Sequence, residues 1–214
     1  MALELRLRIS GTLRARRCRD RSQGVYRPGG NNHRGFRVLN QLPSPTVPTT
    51  SKDIAIRLAA PDDAAAIRRI YNIEVDNYPS TFDVVPRTLE DQRQWLAARS
   101  GVFSTVVATA EGAVVGFASL SPYKDRAAYN TTVENSVYVS RDHGQLGIGR
   151  LLMEHLLRSA RESGFHSIIA RIEATSEASM RLHKSTGFKL VGIEREVGRK
   201  FNRWLDVAIM QLML

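Results

Sequence analysis

The sequence predicts a mixed α/β fold, a central twisted sheet flanked by helices. Three observations carry this expectation. Runs with strand-like alternation recur from residue 54 onward, amphipathic helical runs are interleaved with them, and the order reads β-α-α-β-β-β-α-β-α-β-β.

Taken in order, Ile54, Ile56 and Leu58 alternate as a strand does. Asp62 precedes a helical run of Ala66, Ile67, Ile70, Tyr71 and Val75 and is the candidate N-cap. A second helix starts near Thr88, where Thr88-Leu89-Glu90-Asp91 resembles a capping box, and runs through Trp95 and Leu96. Strands are expected over 103–109 and 113–120, joined at Glu111-Gly112 as a hairpin. The spacing then predicts a strand over 132–139, a helix over 147–163, a strand over 167–173, a helix over 177–186, and terminal strands near 190–194 and 204–212. The second of these helices ends at Gly187, a residue suited to a helix stop.

Residues 1–52 read differently. They hold eleven of the 31 Lys and Arg but only two acids, Glu4 and Asp20, so the segment carries +9 of the chain's net +10. A whole-chain basicity of this kind says little about the partner of the globular part. The crowded Arg14, Arg16, Arg17, Arg19 and Arg21, then Pro28-Gly29-Gly30 and Pro43-Ser44-Pro45, predict a disordered basic extension before a domain over 53–214. An Arg-rich, acid-poor start also fits an organelle transit peptide, a solvated tail, a start placed too far upstream, or an arm for nucleic acid. Cys18 is the only cysteine, so no internal disulfide is available, and no apolar run approaches a membrane span. A cytoplasmic protein is the expectation. His33, His143, His155, His166 and His183 show no ligand spacing with carboxylates or thiols, so no metal is expected.

The chemistry begins at Gly144-Gln145-Leu146-Gly147-Ile148-Gly149-Arg150, between the β-rich Val137-Tyr138-Val139 and a helix whose Ile148, Leu152, Leu156 and Ala160 recur every four residues. Glycines there let backbone approach a ligand, and the unpartnered N–H groups and positive dipole end of the helix suit a pyrophosphate. The spacing is not a dinucleotide fingerprint, because Leu152 stands where a third small residue is needed. It is not a P-loop either, because Arg150-Leu151 replaces Lys-Ser/Thr.

This stretch resembles the acetyl-CoA motif of the GNAT acetyltransferases, Gln/Arg-x-x-Gly-x-Gly/Ala, with Gly144 in place of the usual first Gln or Arg. The resemblance implies a pyrophosphate on the loop amides of 144–150 and a pantetheine along Val137, Tyr138 and Val139, in a splay between two strands. Ser176 to Phe188 is similar to the second half of the motif. Ser176 takes the place of a pantetheine-binding Asn, Ser179 follows, and His183 takes the place of a tyrosine held to protonate the departing thiolate. Imidazole titrates near neutrality and suits such a role.

Nearly all of 53–214 resembles the phosphinothricin and methionine sulfoximine acetyltransferases, in Ser80-Thr81-Phe82, in 122–129, in Val133-Glu134-Asn135-Ser136-Val137-Tyr138-Val139 and in 198–206. The resemblance implies direct acetyl transfer in a ternary complex to the amine of a small amino acid, and a homodimer with the terminal strands near its interface. Glu134 aligns with the family's proposed base. Strand alternation puts Glu134, Ser136 and Tyr138 on one face and Asn135, Val137 and Val139 on the other. Arg126 with Tyr129 would hold the substrate carboxylate or phosphinate. Phe82 would form an apolar wall, and Lys200 with Asn202 would line the acceptor side unless the basic run at 195–203 is an exposed loop. Two alternatives stay open: a family member acting on peptides or another amine, and a non-catalytic protein that binds acetyl-CoA or nucleic acid.

Overall fold

The computed structural model describes residues 54–99 and 101–214. The expectations for residues 1–52 lie outside the described residues. The elements are β1 (Ile54–Leu58), α1 (Ala64–Asn77), α2 (Leu89–Ala97), β2 (Thr105–Ala110), β3 (Ala113–Pro122), β4 (Thr132–Val139), α3 (Ile148–Glu162), β5 (Ser167–Glu173), α4 (Glu177–Ser185), β6 (Lys189–Lys200) and β7 (Arg203–Met213). Seven strands form one mixed sheet in the order β1-β2-β3-β4-β5-β7-β6. β4 and β5 run parallel and the other neighbours antiparallel.

Each face of the sheet is covered by helices whose apolar stripe dictates the contact. On one face Ile67, Ile70, Tyr71 and Val75 of α1 pack with Leu96 of α2 on Val107, Val114 and Phe117. On the other, the four-residue stripe of α3, Ile148, Leu152, Leu156 and Ala160, meets Val106, Ala118, Leu120, Val133 and Ile168. A bulge makes Val115 an extra residue in β3 against Ala108 and Thr109, so Val115 joins the α3 face although Phe117, two residues on, packs on the other.

Local chemistry explains most element ends. Thr88 Oγ1 accepts the Asp91 N–H at 3.1 Å and Asp91 Oδ2 accepts the Thr88 N–H at 3.0 Å, the reciprocal box expected at α2. Glu111 and Gly112 both have positive φ, 49° and 80°, as a two-residue hairpin turn requires. At α1 the expectation needs correction by one residue. Asp63, not Asp62, occupies the N-cap position, without a side-chain capping bond to α1; its carboxylate accepts the Ala60 N–H at 2.7 Å and pairs with Arg57 of β1 at 2.6 and 2.8 Å.

The terminal hairpin is longer than its sequence suggests. β6 is interrupted between Leu190 and Gly192 and again between Glu194 and Gly198, and these irregularities erase the period of two by which a strand is read. Asp206 of β7 bridges the second one, accepting the Glu196 N–H at 2.8 Å and pairing with Arg195 at 2.7 Å. The chain reverses at Phe201-Asn202, both with positive φ. Among the described residues no helix is long and apolar enough to cross a membrane.

Candidate active site

The site follows from the way two parallel strands part. β4 and β5 are paired only from Thr132↔Ser167 to Glu134↔Ile169, although β4 continues beside β3 to Val139 and β5 beside β7 to Glu173. Past Glu134 the facing edges therefore hold backbone groups without cross-strand partners, and such groups need a ligand or water. A cleft of about 1020 Å³ opens there, lined by β4 from Glu134 onward, the glycine loop, α4 and the loop after α1. A smaller recess of about 320 Å³ beside α2, lined by Leu58, Pro61, Leu96 and Ala97 among others, is mostly apolar and contains no carboxylate.

At one end of the cleft α3 begins at Ile148 after Gly147, whose φ is +78°. Gln145 also lies in the left-handed region, at +65°. The N–H groups of Arg150 and Leu151 both turn back to the Gly147 carbonyl, and no side chain caps this end among the described residues. The amides of Ile148 and Gly149 remain available to an anion. Gly149 has a second reason to be small, since a Cβ there would lie 3.2 Å from Leu182 of α4. Gly144, in contrast, has ordinary extended backbone and room for a side chain, with only the Arg141 carbonyl at 3.4 Å. Leu146 turns its side chain into the core beneath α3, while Gln145, Gly147 and Arg150 line the cleft.

The two faces of β4 have separate chemistry, as the alternation requires. Tyr138 stacks on Phe117 at 5.2 Å and meets Tyr71 edge-on at 5.2 Å, and burial raises its phenol pKa. Glu134 shares that face. Burial raises its carboxyl pKa, the Arg171 guanidinium partly opposes the shift, and no hydrogen bond to the carboxylate is found among the described residues. A carboxylate in that condition is poised to take a proton.

On the opposite face Val137 and Val139 pack against the α3 core, and Asn135 meets His183. His183 is 4% exposed and lies edge-on to Phe188 at 5.0 Å. Its Nδ1 is 2.9 Å from the Ser179 carbonyl, which only accepts, so Nδ1 carries the proton. Nε2 then accepts from Asn135 Nδ2 at 3.0 Å. Burial lowers the pKa, and the ring is neutral with both nitrogens engaged. As placed, it has no free proton to give a thiolate. Ser176 begins α4 but its hydroxyl makes no capping bond, and it faces the cleft with Ser179.

The cleft wall that carries Phe82 is held by two clasps on the end of α1. Glu74, 4% exposed, takes two bonds from Arg141, at 2.8 Å from Nε and 2.6 Å from Nη2, and a third from Ser80. Arg141 also lies 3.8 Å over the Tyr78 ring. From the other direction Lys200 Nζ donates to the carbonyls of Glu74, Tyr78 and Thr81 at 3.2, 2.8 and 2.8 Å. Lys200 is thus neither a cleft residue nor part of an exposed loop; it is 5% exposed and neutralises the negative end of α1. Phe82 does line the cleft, lying across Gly198, where a Cβ would fall 2.0 Å from its ring.

Three other expected residues stand apart. Asn202 occupies the hairpin tip and accepts from Arg199 at 2.6 Å. Arg126 and Tyr129 are exposed on a turn before β4 and do not line the cleft. Conversely, Arg171, Asn135, Glu74 and Arg141 line it without having been singled out. Arg171 and Glu74 had a signal: Arg171 interrupts the apolar run from Ile168 to Ile172, and Glu74 falls on the inward stripe of α1. Among the described residues no group of three or more His, Cys, Asp or Glu is gathered to hold a metal.

Comparison with known proteins supplies a context for this geometry. A family profile described as an acetyltransferase (GNAT) domain matches residues 56–209. Phosphinothricin N-acetyltransferase of Streptomyces coelicolor is 41% identical over 160 residues, covering 73% of this chain and 94% of its own. Among solved structures, a ribosomal-protein-alanine N-acetyltransferase from Brucella melitensis superposes with a TM-score of 0.74 at 41% identity, over 75% of this chain and 99% of its own. yncA from Salmonella typhimurium, solved with its cofactor acetyl-CoA, gives 0.74 at 37% identity, over 76% and 94%.

Proposed function

This chain belongs to the GNAT acetyltransferase family, and from that premise we propose that it transfers the acetyl group of acetyl-CoA to the amine of a small amino acid of the phosphinothricin or methionine sulfoximine type. The observation that carries the reading is the splay of β4 from β5 between the free amides of α3 and the half-buried Glu134.

The residues present fit the cosubstrate. The amides around Gly147–Gly149 would receive its pyrophosphate, the unpaired edges beyond Glu134 would take the amides of its pantetheine, and Ser176 and Ser179 would line that path. Acetyl-CoA supplies an activated thioester. An α-amine is largely protonated at neutral pH, with a free-solution pKa of about 8. Glu134 accepts the proton that the amine must lose, directly or through water. Backbone N–H groups near Val137 stabilise the oxyanion formed as the amine attacks the carbonyl carbon. The C–S bond then breaks and sulfur leaves as a thiolate, while the second proton that the nitrogen sheds on becoming an amide passes to that thiolate or to water. In this reading His183 is a buried prop for the wall of the cleft, and it becomes a donor only after gaining a proton.

A homodimer belongs to the same reading. Leu190, Val191, Ile193 and Trp204 of the terminal hairpin are exposed, an apolar surface suited to burial against a second copy.

The test is an acceptor screen with acetyl-CoA that includes phosphinothricin, methionine sulfoximine, the common amino acids and a peptide with N-terminal alanine. Turnover of free amino acids with little on the peptide is expected. Turnover of the peptide alone would transfer the reading to polypeptide N-termini.

A further inference from the structure

Among the seven residues of β5 only Arg171 is exposed. A cation in the centre of a sheet calls for a reason, because arginine is rarely spent on a strand buried on both sides. Paired residues on neighbouring strands project to the same face. Glu134 is paired with Ile169, so Arg171, two residues further along β5, shares the face of Glu134 at roughly 7 Å along the strand. Pairing with β4 has ended by that point, and both Arg171 and Glu134 line the cleft.

The guanidinium is not locked. Its ion pair with Glu194 of β6 is 2.7 Å long, but the two side chains are 39% and 41% exposed, and a pair so wet holds its partners weakly. Its charge nevertheless reaches Glu134, where it counteracts the effect of burial. The cleft thus holds, on one face and one strand apart, a carboxylate able to take an amine proton and a guanidinium able to receive an anion in a planar two-bond geometry. Arg126, the residue expected in that role, is exposed and does not line the cleft.

We propose that Arg171 binds the acidic group of the acceptor, a carboxylate or phosphinate, and so selects zwitterionic amino acids over simple amines while Glu134 faces the amine. The bound acid displaces Glu194 from the guanidinium. This rests on the amino-acid reading above and adds to it the group that reads the acid.

The experiment compares full-length wild type, Arg171→Gln, Arg171→Lys and Glu194→Gln on an amino acid and on its amide, which has the same amine without the carboxylate. Arg171→Gln should raise KM for the amino acid by about tenfold or more with a smaller change in kcat, and should cost the amide much less. Arg171→Lys should recover part of the loss, and Glu194→Gln should lower KM for the amino acid. A parallel calorimetric titration of the amino acid into the CoA-loaded protein reads binding without transfer. If the amino acid is acetylated and bound equally well by Arg171→Gln, the inference fails and the proposed function stands. Equal losses on amino acid and amide would also overturn it, since the carboxylate would not be what Arg171 reads. If wild type neither binds nor acetylates any amino acid, both readings fall together.

Discussion

Glu74 and Glu134 line the same cleft, and they are held in opposite ways. Glu74 receives two bonds from Arg141 and one from Ser80, so its lone pairs are committed to fastening the end of α1 to the loop before the glycines. Glu134 is half-buried without comparable bonding, and its anion is disfavoured rather than secured. The lesson is that burial of a carboxylate does not identify a base. What distinguishes one is a charge that the fold stabilises poorly, and which a proton would relieve.

Substitution should separate the two. Glu134→Gln is expected to lower kcat by about 10²- to 10³-fold while leaving the melting temperature within a few degrees, measured by steady-state kinetics and calorimetry. Glu74→Gln should do the reverse. Loss of the charged clasp should cost roughly 1–2 kcal/mol of stability, less than a fully buried pair because Arg141 is half exposed, with a smaller fall in kcat. Comparable losses of kcat in both variants would erase the distinction.

The other predictions refine it. His183→Gln should reduce kcat by no more than about tenfold, because a neutral ring with both nitrogens engaged is not the resting acid; a loss as deep as that of Glu134→Gln would restore the proton-donor role. Arg171→Gln should move the acid limb of the kcat profile to higher pH. The sign follows from charge: a cation near Glu134 favours its anion, so removing it raises the pKa further, and the base is protonated at a higher pH than before. An unmoved limb would mean that Glu134 is not the group titrating. Gly144→Arg should tighten acetyl-CoA by about two- to fivefold, since the backbone there is unstrained and has room for a side chain beside the loop amides. Looser binding would show that the site needs glycine at 144.

Much of this fold and half of this site could be read from the residue order, and the division has a physical basis. The glycine loop, the α3 stripe, the Thr88 box and the two faces of β4 depend on neighbours within a few residues, and local periodicity records them. Lys200 was unreadable because its partners are the carbonyls of residues more than a hundred positions earlier. Arg126 and Tyr129 rest on resemblance alone, and the exposed turn that carries them is not part of the cleft lining. Asp63 displaced Asp62 because Arg57, on a different element, decides which acid is used. The length of β6 was hidden by irregularities that Asp206 repairs from the adjacent strand.

The ammonium of Lys200, seated on three carbonyls at the end of α1, has a consequence for the order in which the protein can mature. The hairpin that delivers it follows every other element in the chain. During synthesis α1, the glycine loop and the splayed strand β4 can all leave the ribosome before that cation exists, and the wall carrying Phe82 has nothing to close its carbonyls. A nascent chain halted before residue 189 would also lack β7, the antiparallel neighbour of β5. The wall that carries Phe82 is therefore closed only after β6 has formed, later than the glycine loop and the splayed strand that it faces.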